Sequence, residues 1–348
     1  MDQGSRAKAP RWRGARPGAP WTTDLPRFDL LDGPSPLQHL PRFGAAIGGN
    51  VDVWIKREDL LPLAFGGNKL RNLEFLVGAA LAEGADTLVT TGRRWSNHAR
   101  LTAAAGAKSG LDVHLVLTGP PLDQPGPNQR LDELLGATVH VTTTDSREER
   151  TAMVDEVVSR LRVAGHRPYL VPTGGSGPIG VVGSILAGLE LADQAAALGI
   201  RPDVVVLPSA TGGTQAGLLV GLALAGLPTH VAGIAVAHPA AELIETVATL
   251  LAQAADMTGL DVATVSPIDI DDGQLGAAYG QPTAAGDEAA RLLARSEGIF
   301  VDPIYTAKAL AGLVAMARSH VMDGETVVFW HAGGTTALFE SPGDARTG

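Results

Sequence analysis

The sequence predicts an α/β protein of two open lobes, and three observations predict it. Short branched apolar runs alternate with Ala/Leu-rich stretches from about residue 50 to the end. The run Val204–Leu207 is apolar at every position, as in a parallel strand covered on both faces. The 43 glycines cluster where strands, loops and helices would meet, without a collagen-like period.

The elements follow in order. The first strand is Val51–Lys56. Two glycines, Gly66 and Gly67, lead into a helix over Lys69–Ala82. Strand Thr87–Thr91 precedes helix Asn97–Ser109, with Asn97 placed to cap it and Gly110 to stop it. Strands Val113–Leu117 and Thr138–Val141 come next, then helix Glu149–Ala164 and strand Tyr169–Val171. Pro178 and Gly180 bracket the entry to helix Ile179–Leu198, and Gly199 ends it. Strand Val204–Leu207 feeds helix Thr214–Ala225, and strand Val231–Val236 feeds helix Ala240–Met257. Helices Asp287–Arg295 and Ala307–Ala317 precede the last strand, Thr326–Trp330. A break near Gly174–Gly180 suggests two lobes, with a ligand in the cleft between them.

Composition narrows the function. The 348 residues allow one large domain or two medium ones. A formal charge of −10 gives the chain no general attraction for nucleic acid. The exception is the first twenty residues, with Arg6, Lys8, Arg11, Arg13 and Arg16. They read either as a solvated leader or as a basic arm. No secretory signal is expected there, and no run of about 20 uncharged apolar residues predicts a membrane span. The absence of cysteine excludes disulfides, thiolate nucleophiles and cysteine-ligated metal centres. No other metal motif appears, and a cytoplasmic location fits.

Four clusters could carry chemistry. Lys69 is one of five lysines and stands after Phe65-Gly66-Gly67-Asn68 at the start of an apolar helix. Helix-start amides and desolvation both favour its neutral amine, which imine chemistry requires. A surface helix start is the other reading. Thr211-Gly212-Gly213-Thr214-Gln215-Ala216-Gly217 follows the buried strand and opens a helix, either as a phosphate cup or as a plain tight turn. It matches neither a dinucleotide fingerprint nor a P-loop. Trp95-Ser96-Asn97-His98 offers short hydrogen-bonding side chains at a helix N-terminus, for capping or for a substrate carboxylate. His98 is either a base or a satisfied helix-start histidine. Arg93 and Arg94 are either exposed cations or a lure for an acidic substrate. Finally, two of the three tyrosines, Tyr279 and Tyr305, lie in turns, as packing residues or proton donors. One lysine, one phosphate site and no metal motif together suggest a phosphorylated aldehyde cofactor.

In their order along the chain these clusters resemble the 1-aminocyclopropane-1-carboxylate deaminase and D-cysteine desulfhydrase family of fold type II pyridoxal-phosphate enzymes. The resemblance spans about Leu30 to Phe339. Its anchors include Lys56-Arg57-Glu58-Asp59, Gly66-Gly67-Asn68-Lys69, Ser96-Asn97-His98 and Gly174-Gly175-Ser176. Further anchors are Gly212–Gly217, Tyr279-Gly280, Glu297-Gly298, Asp302–Thr306 and His331-Ala332-Gly333-Gly334.

The resemblance implies a tryptophan synthase β-like fold with the active site between two α/β domains. A large cofactor-binding domain would comprise residues 25–68 plus 181–342, and a smaller inserted domain 69–180. Residues 1–24 would be a disordered basic leader and 343–348 a flexible tail. Lys69 looks like the Schiff-base lysine, with Asn68 beside it. Asn97 looks like the partner of the cofactor's phenolic oxygen, and Gly212, Gly213, Thr214, Gln215, Ala216 and Gly217 like the phosphate cup. Thr306 falls where the pyridine nitrogen's partner should be. Ser96, Tyr279 and Tyr305 look catalytic. Together with Trp95, Asn97 and His98 they look substrate-binding.

A small amino acid as substrate and a homodimer are further implications. Threonine rather than glutamate at position 306, and His98, follow the desulfhydrase pattern, which implies α,β-elimination giving a 2-keto acid and ammonia. The other activities open to this scaffold are cyclopropane ring opening, sulfite release from a sulfonated amino acid, β-replacement and non-catalytic binding. Trp95 stands where the family has glutamine, and the Pro120–Pro125 stretch is also unlike the family.

Overall fold

A computed structural model of the chain describes residues 20–119, 124–143 and 146–339. Most of the basic leader, the C-terminal tail and Pro120–Asp123 therefore lie outside the described residues. Packing begins before residue 25: Pro20–Thr22 form a short 3-10 turn, Thr22 is buried, and Trp21 packs beside Phe75 and Val182.

In chain order the first elements are β1 (Leu37–His39), α1 (Pro41–Ile47), β2 (Asp52–Arg57) and α2 (Lys69–Ala82). Then come β3 (Thr87–Arg93), α3 (Asn97–Ser109), β4 (Asp112–Thr118), α4 (Pro127–Leu134) and β5 (Thr138–Thr142). The chain continues through α5 (Arg147–Val163), β6 (Pro168–Leu170), α6 (Pro178–Leu198), β7 (Val204–Ser209) and α7 (Gly213–Leu224). It closes with β8 (His230–Ala235), α8 (Ala240–Thr258), β9 (Asp269–Asp271), α9 (Ala284–Glu297), α10 (Thr306–Arg318) and β10 (Thr326–His331).

Two α/β domains result, each around its own sheet. The six-stranded sheet has the order β1-β2-β10-β7-β8-β9 and is parallel except for β1. The four-stranded sheet, β5-β4-β3-β6, is parallel throughout. In the larger sheet Phe329 of β10 pairs with Ile55 of β2 on one side and Val206 of β7 on the other. Val204 and Val206 face a core layer with Leu310 and Phe329. Val205 and Leu207 face the opposite layer with Val220 and Trp330. The unbroken apolar run of β7 is thus explained by burial on both faces, worth about 1.5–3 kcal/mol per buried Val or Leu side chain.

Local caps differ from expectation at one helix. Ser96, not Asn97, caps α3, its hydroxyl accepting from Ala99 N at 3.2 Å, and Asn97 becomes the first helical residue. Gly110 and Gly199 stop their helices in the left-handed conformation as expected. Strands β1 and β9 and helices α1 and α4 escape sequence reading because they are three to eight residues long. They carry no repeat of the helical or strand period.

Helix α6 has the length and apolarity to cross a bilayer, yet it is a core helix. Gly183 and Gly188 let it pack closely on α2 and α7. It also carries Glu190, which accepts from Lys56 Nζ at 2.5 Å and from Arg71 Nη2 at 2.8 Å. Arg71 pairs in turn with Glu58 at 2.6 Å. Lys56 is fully buried in this network and paired with Glu190. Its hydrogen bonds offset part of the desolvation, which still lowers the Lys56 pKa, and tie α2 to β2 and α6.

Candidate active site

The cleft lies at the carboxyl ends of β2, β3, β7 and β10, where the larger sheet switches direction between β7 and β10. The turn after β2 brings Lys69 there. Gly66 and Gly67 both have positive φ, Asn68 N donates to Ala332 O at 3.0 Å, and Gly333 lies so close to Gly67 that a Cβ would overlap its Cα. Lys69 opens α2 and reaches into the cavity, where burial lowers its amine to about 8. Asn68 Nδ2 donates to Thr214 Oγ1 at 2.8 Å, joining this turn to the one after β7.

That second turn has the make-up of an anion cradle. Gly212, at φ +73°, caps α7, whose first amides have no intrahelical acceptor. Gly212, Thr214 and Gln215 line the same cavity as Lys69. Gln215 is held by its Nε2, which donates to Asp269 O at 2.8 Å. Gly213 is required by Ser176: a Cβ there would lie 2.6 Å from the Ser176 hydroxyl, which hydrogen-bonds Thr211 at 2.7 Å. Ala216 and Gly217 point elsewhere. Ala216 is in the core, and a Cβ on Gly217 would sit 2.3 Å from Ser184 Cβ of α6. The glycine there serves helix packing.

From the smaller sheet, the end of β3 supplies Ser96, Asn97 and His98 to the cavity. His98 Nε2 lies 2.9 Å from Thr90 Oγ1, whose own proton goes to Val171 O at 2.8 Å. His98 therefore donates through Nε2 and leaves Nδ1 as a buried bare acceptor. Burial, then the Lys69 charge, pulls its pKa down to about 3, so it is a neutral hydrogen-bonding group rather than a base at physiological pH. Trp95 stands behind, edge-on to Tyr279 with ring centroids 6.1 Å apart. The Arg93 guanidinium sits 5.8 Å from both ring centroids.

Tyr279 and Tyr305 both line the cavity, with hydroxyls 2.5 Å apart, and burial raises both phenols above their ordinary value. Thr306 is fully buried beside Tyr305 but does not line the cavity. Its hydroxyl donates to Asp302 Oδ2 at 2.5 Å, and Asp302 also accepts the amides of Ile304, Tyr305 and Thr306 at 2.7–3.0 Å.

Sequence reading did not single out Ser209 or Arg150, which line the cleft together with Thr211 of the predicted turn. The position of Ser209 at the carboxyl end of a central parallel strand was the available signal. Arg150, on the polar helix α5, gave none.

A family model described as pyridoxal-phosphate dependent enzyme matches residues 28–333. The chain belongs to that family. A D-cysteine desulfhydrase from Klebsiella pneumoniae (strain 342) is 38% identical over 323 residues, 91% of this chain and 96% of the relative. A crystal structure of a 1-aminocyclopropane-1-carboxylate deaminase homologue superposes with TM-score 0.84 at 36% identity, covering 92% of this chain and 95% of that one. These relatives place this pyridoxal-phosphate enzyme in the deaminase and desulfhydrase branch of fold type II. An L-serine ammonia-lyase from Rhizomucor miehei shares the fold, with TM-score 0.64 at 16% identity over 87% of this chain and 94% of that one.

The residues present fit pyridoxal phosphate. An amine of lowered basicity faces a helix N-terminus with Thr214 Oγ1 and free first-turn amides. The buried Ser209 hydroxyl beside them has no protein partner. The enzyme is a pyridoxal-phosphate lyase or deaminase acting on a small molecule in amino-acid metabolism, through the β-elimination or deamination chemistry typical of this family.

Proposed function

We propose that this enzyme catalyses α,β-elimination on a β-substituted amino acid, in the manner of a D-cysteine desulfhydrase. The observation that carries the reading is the shared cleft of Lys69, the α7 phosphate cradle and a buried pair of phenols. Pyridoxal phosphate supplies an electron-withdrawing ring conjugated to the substrate amine, which acidifies the Cα proton. Gly212, Thr214 and the first α7 amides would hold its phosphate. The α3 N-terminus with Ser96 holds the substrate carboxylate. Lys69 accepts the Cα proton as a neutral amine. The Cα–H electron pair forms the Cα–Cβ double bond as the β-substituent leaves with its own bonding pair. Tyr279 or Tyr305 gives that leaving group a proton. The released enamine takes up water and yields a 2-keto acid and ammonia.

Threonine at position 306 brings no carboxylate that could hold a pyridine nitrogen protonated, and its buried hydroxyl is committed to Asp302, which favours this outcome over cyclopropane ring opening. The test is a panel of D- and L-amino acids with β-leaving groups, read by 2-keto acid, alongside Lys69→Ala. Wild-type turnover with at least one substrate, and loss of both turnover and the visible absorbance band in Lys69→Ala, is expected. Undiminished elimination by that variant would sink the assignment.

The proposal includes a cytoplasmic homodimer and domain boundaries at 68/69 and 180/181. Support for the dimer comes from an apolar groove where Phe65, Leu134 and Phe339 are 63%, 81% and 75% exposed. Sedimentation of the purified enzyme decides it, and a monomer at micromolar concentration rejects it.

A further inference from the structure

We infer that Arg100 is a positioning residue that fixes which way round the Asn97 amide faces the cofactor cleft. The inference rests on the site reading above, and its readout is the cofactor's spectrum rather than the products of elimination.

Arg100 lies on α3 one turn after Asn97 and is fully buried. Its Nη2 donates to Asn97 Oδ1 at 3.3 Å, and its Nη1 donates to Ala64 O. A guanidinium has donors and no acceptor. Asn97 must therefore turn its oxygen to Arg100 and its Nδ2 the other way. Among the described residues Nδ2 has no protein acceptor, and Asn97 lines the cleft. The arrangement presents an N–H donor to whatever oxygen occupies that side. Without Arg100 the amide is free to rotate and offer an acceptor instead.

The second hand of Arg100 reaches the lysine's own turn. Ala64 and Phe65 are two of the three non-glycine residues at positive φ among those described, at 47° and 65°. Such a backbone persists only when its surroundings hold it. The guanidinium thus bridges the segment that delivers Lys69 and the side chain that faces it. Behind it, Asp132 of α4 is buried with no hydrogen-bond partner on either oxygen, and burial pushes its carboxyl up to about 8 with Arg100 pulling the other way. Burying a guanidinium with an unbonded Nε beside a carboxyl that has no partner is an expensive way to join two helices, and apolar packing would do that better.

The test is a pH titration of the bound cofactor's visible absorbance in the loaded enzyme. A donor aimed at the cofactor's phenolic oxygen favours its anionic form and so lowers the midpoint of that titration. Arg100→Met combined with Asp132→Asn, which leaves no lone carboxylate, is expected to raise the midpoint by about one unit. Asn97→Ala is expected to raise it equally, and all three substitutions together no further. Arg100→Lys, which keeps a charge and a donor, is expected between wild type and Asn97→Ala. It carries the test if the uncharged variant does not fold. An unchanged midpoint in the Arg100 variants overturns the proposal. So does a shift of the same size when Asn97 is already alanine, because a merely structural Arg100 would act independently of that amide.

Discussion

Asn68 and Thr214, 146 positions apart, are joined by a 2.8 Å hydrogen bond from amide to hydroxyl. The residue before the proposed Schiff-base lysine is thereby fastened to the proposed phosphate turn, which fixes the separation of the two turns. Thr214→Val removes both this acceptor and a hydroxyl beside the phosphate. A hydrogen bond to a charged group is worth about 1.5–3 kcal/mol, so cofactor affinity should fall roughly 10- to 150-fold. Equilibrium dialysis measures it. A Thr214→Val enzyme that holds the cofactor as tightly as wild type would show that the hydroxyl takes no part.

The lowered basicity of Lys69 has a kinetic consequence. Only the neutral amine attacks an aldehyde. With its pKa near 8, cofactor uptake by the stripped protein should rise about tenfold per pH unit up to that value and then level off. An ordinary lysine would still be accelerating at pH 10. The sign for stability follows from the same burial. The folded-state value lies below the unfolded one, so the charged amine weakens the stripped fold below about pH 8. The penalty is full below about pH 8 and is relieved as pH rises from there toward the ordinary lysine value of 10.5. Lys69→Met should therefore raise the melting temperature of the stripped protein at pH 6–7, and a lowered one contradicts the burial.

Tyr279 and Tyr305 share one short contact, so only one of them donates to the other and the second proton is free to be given away. Burial keeps both protonated at neutral pH. Replacing either with phenylalanine should lower turnover about 10²-fold or more for a leaving group that must be protonated, and far less for a halide. Equal losses for the two kinds of leaving group would exclude a proton-donor role.

Gly280 has φ +86°, and a Cβ there would lie 2.6 Å from the Trp95 ring. Gly280→Ala should lose about 1–3 kcal/mol from strained backbone, plus the collision. Adding Trp95→Ala should recover the collision and leave the strain. Chemical denaturation of the single and double variants separates the two. If the double variant is no better than Gly280→Ala alone, Trp95 does not require that glycine.

The legible parts of this chain are those where burial writes a pattern. Val204–Leu207 announces a central strand because both its faces are covered, and Gly110 and Gly199 announce helix ends through their backbone freedom. The juxtaposition of Lys69 with the Gly212 turn was readable only through the family resemblance, since it depends on strand order. Gly217 and Ala216 were read as cradle residues because a glycine needed for contact with Ser184 looks the same in sequence as one needed for phosphate. Asn97 was read as a cap because serine and asparagine compete for that position and adjacent residues cannot be told apart by pattern. Arg100 was invisible: its significance lies in the two acceptors it reaches and not in its neighbours along the chain.

Strand β10 lies between β2 and β7, yet it is the last strand to leave the ribosome. Until Thr326–His331 emerges, β2 and β7 each hold an open edge, and the anion cradle has no wall at Ala332–Gly333. The four-stranded sheet, drawn wholly from residues 87–170, has no such wait. Vectorial synthesis thus gives the nascent enzyme one sheet ready to form early and one that must stay unzipped until translation is nearly over. Premature termination before Thr326 would yield an adhesive, aggregation-prone product rather than a weakened catalyst.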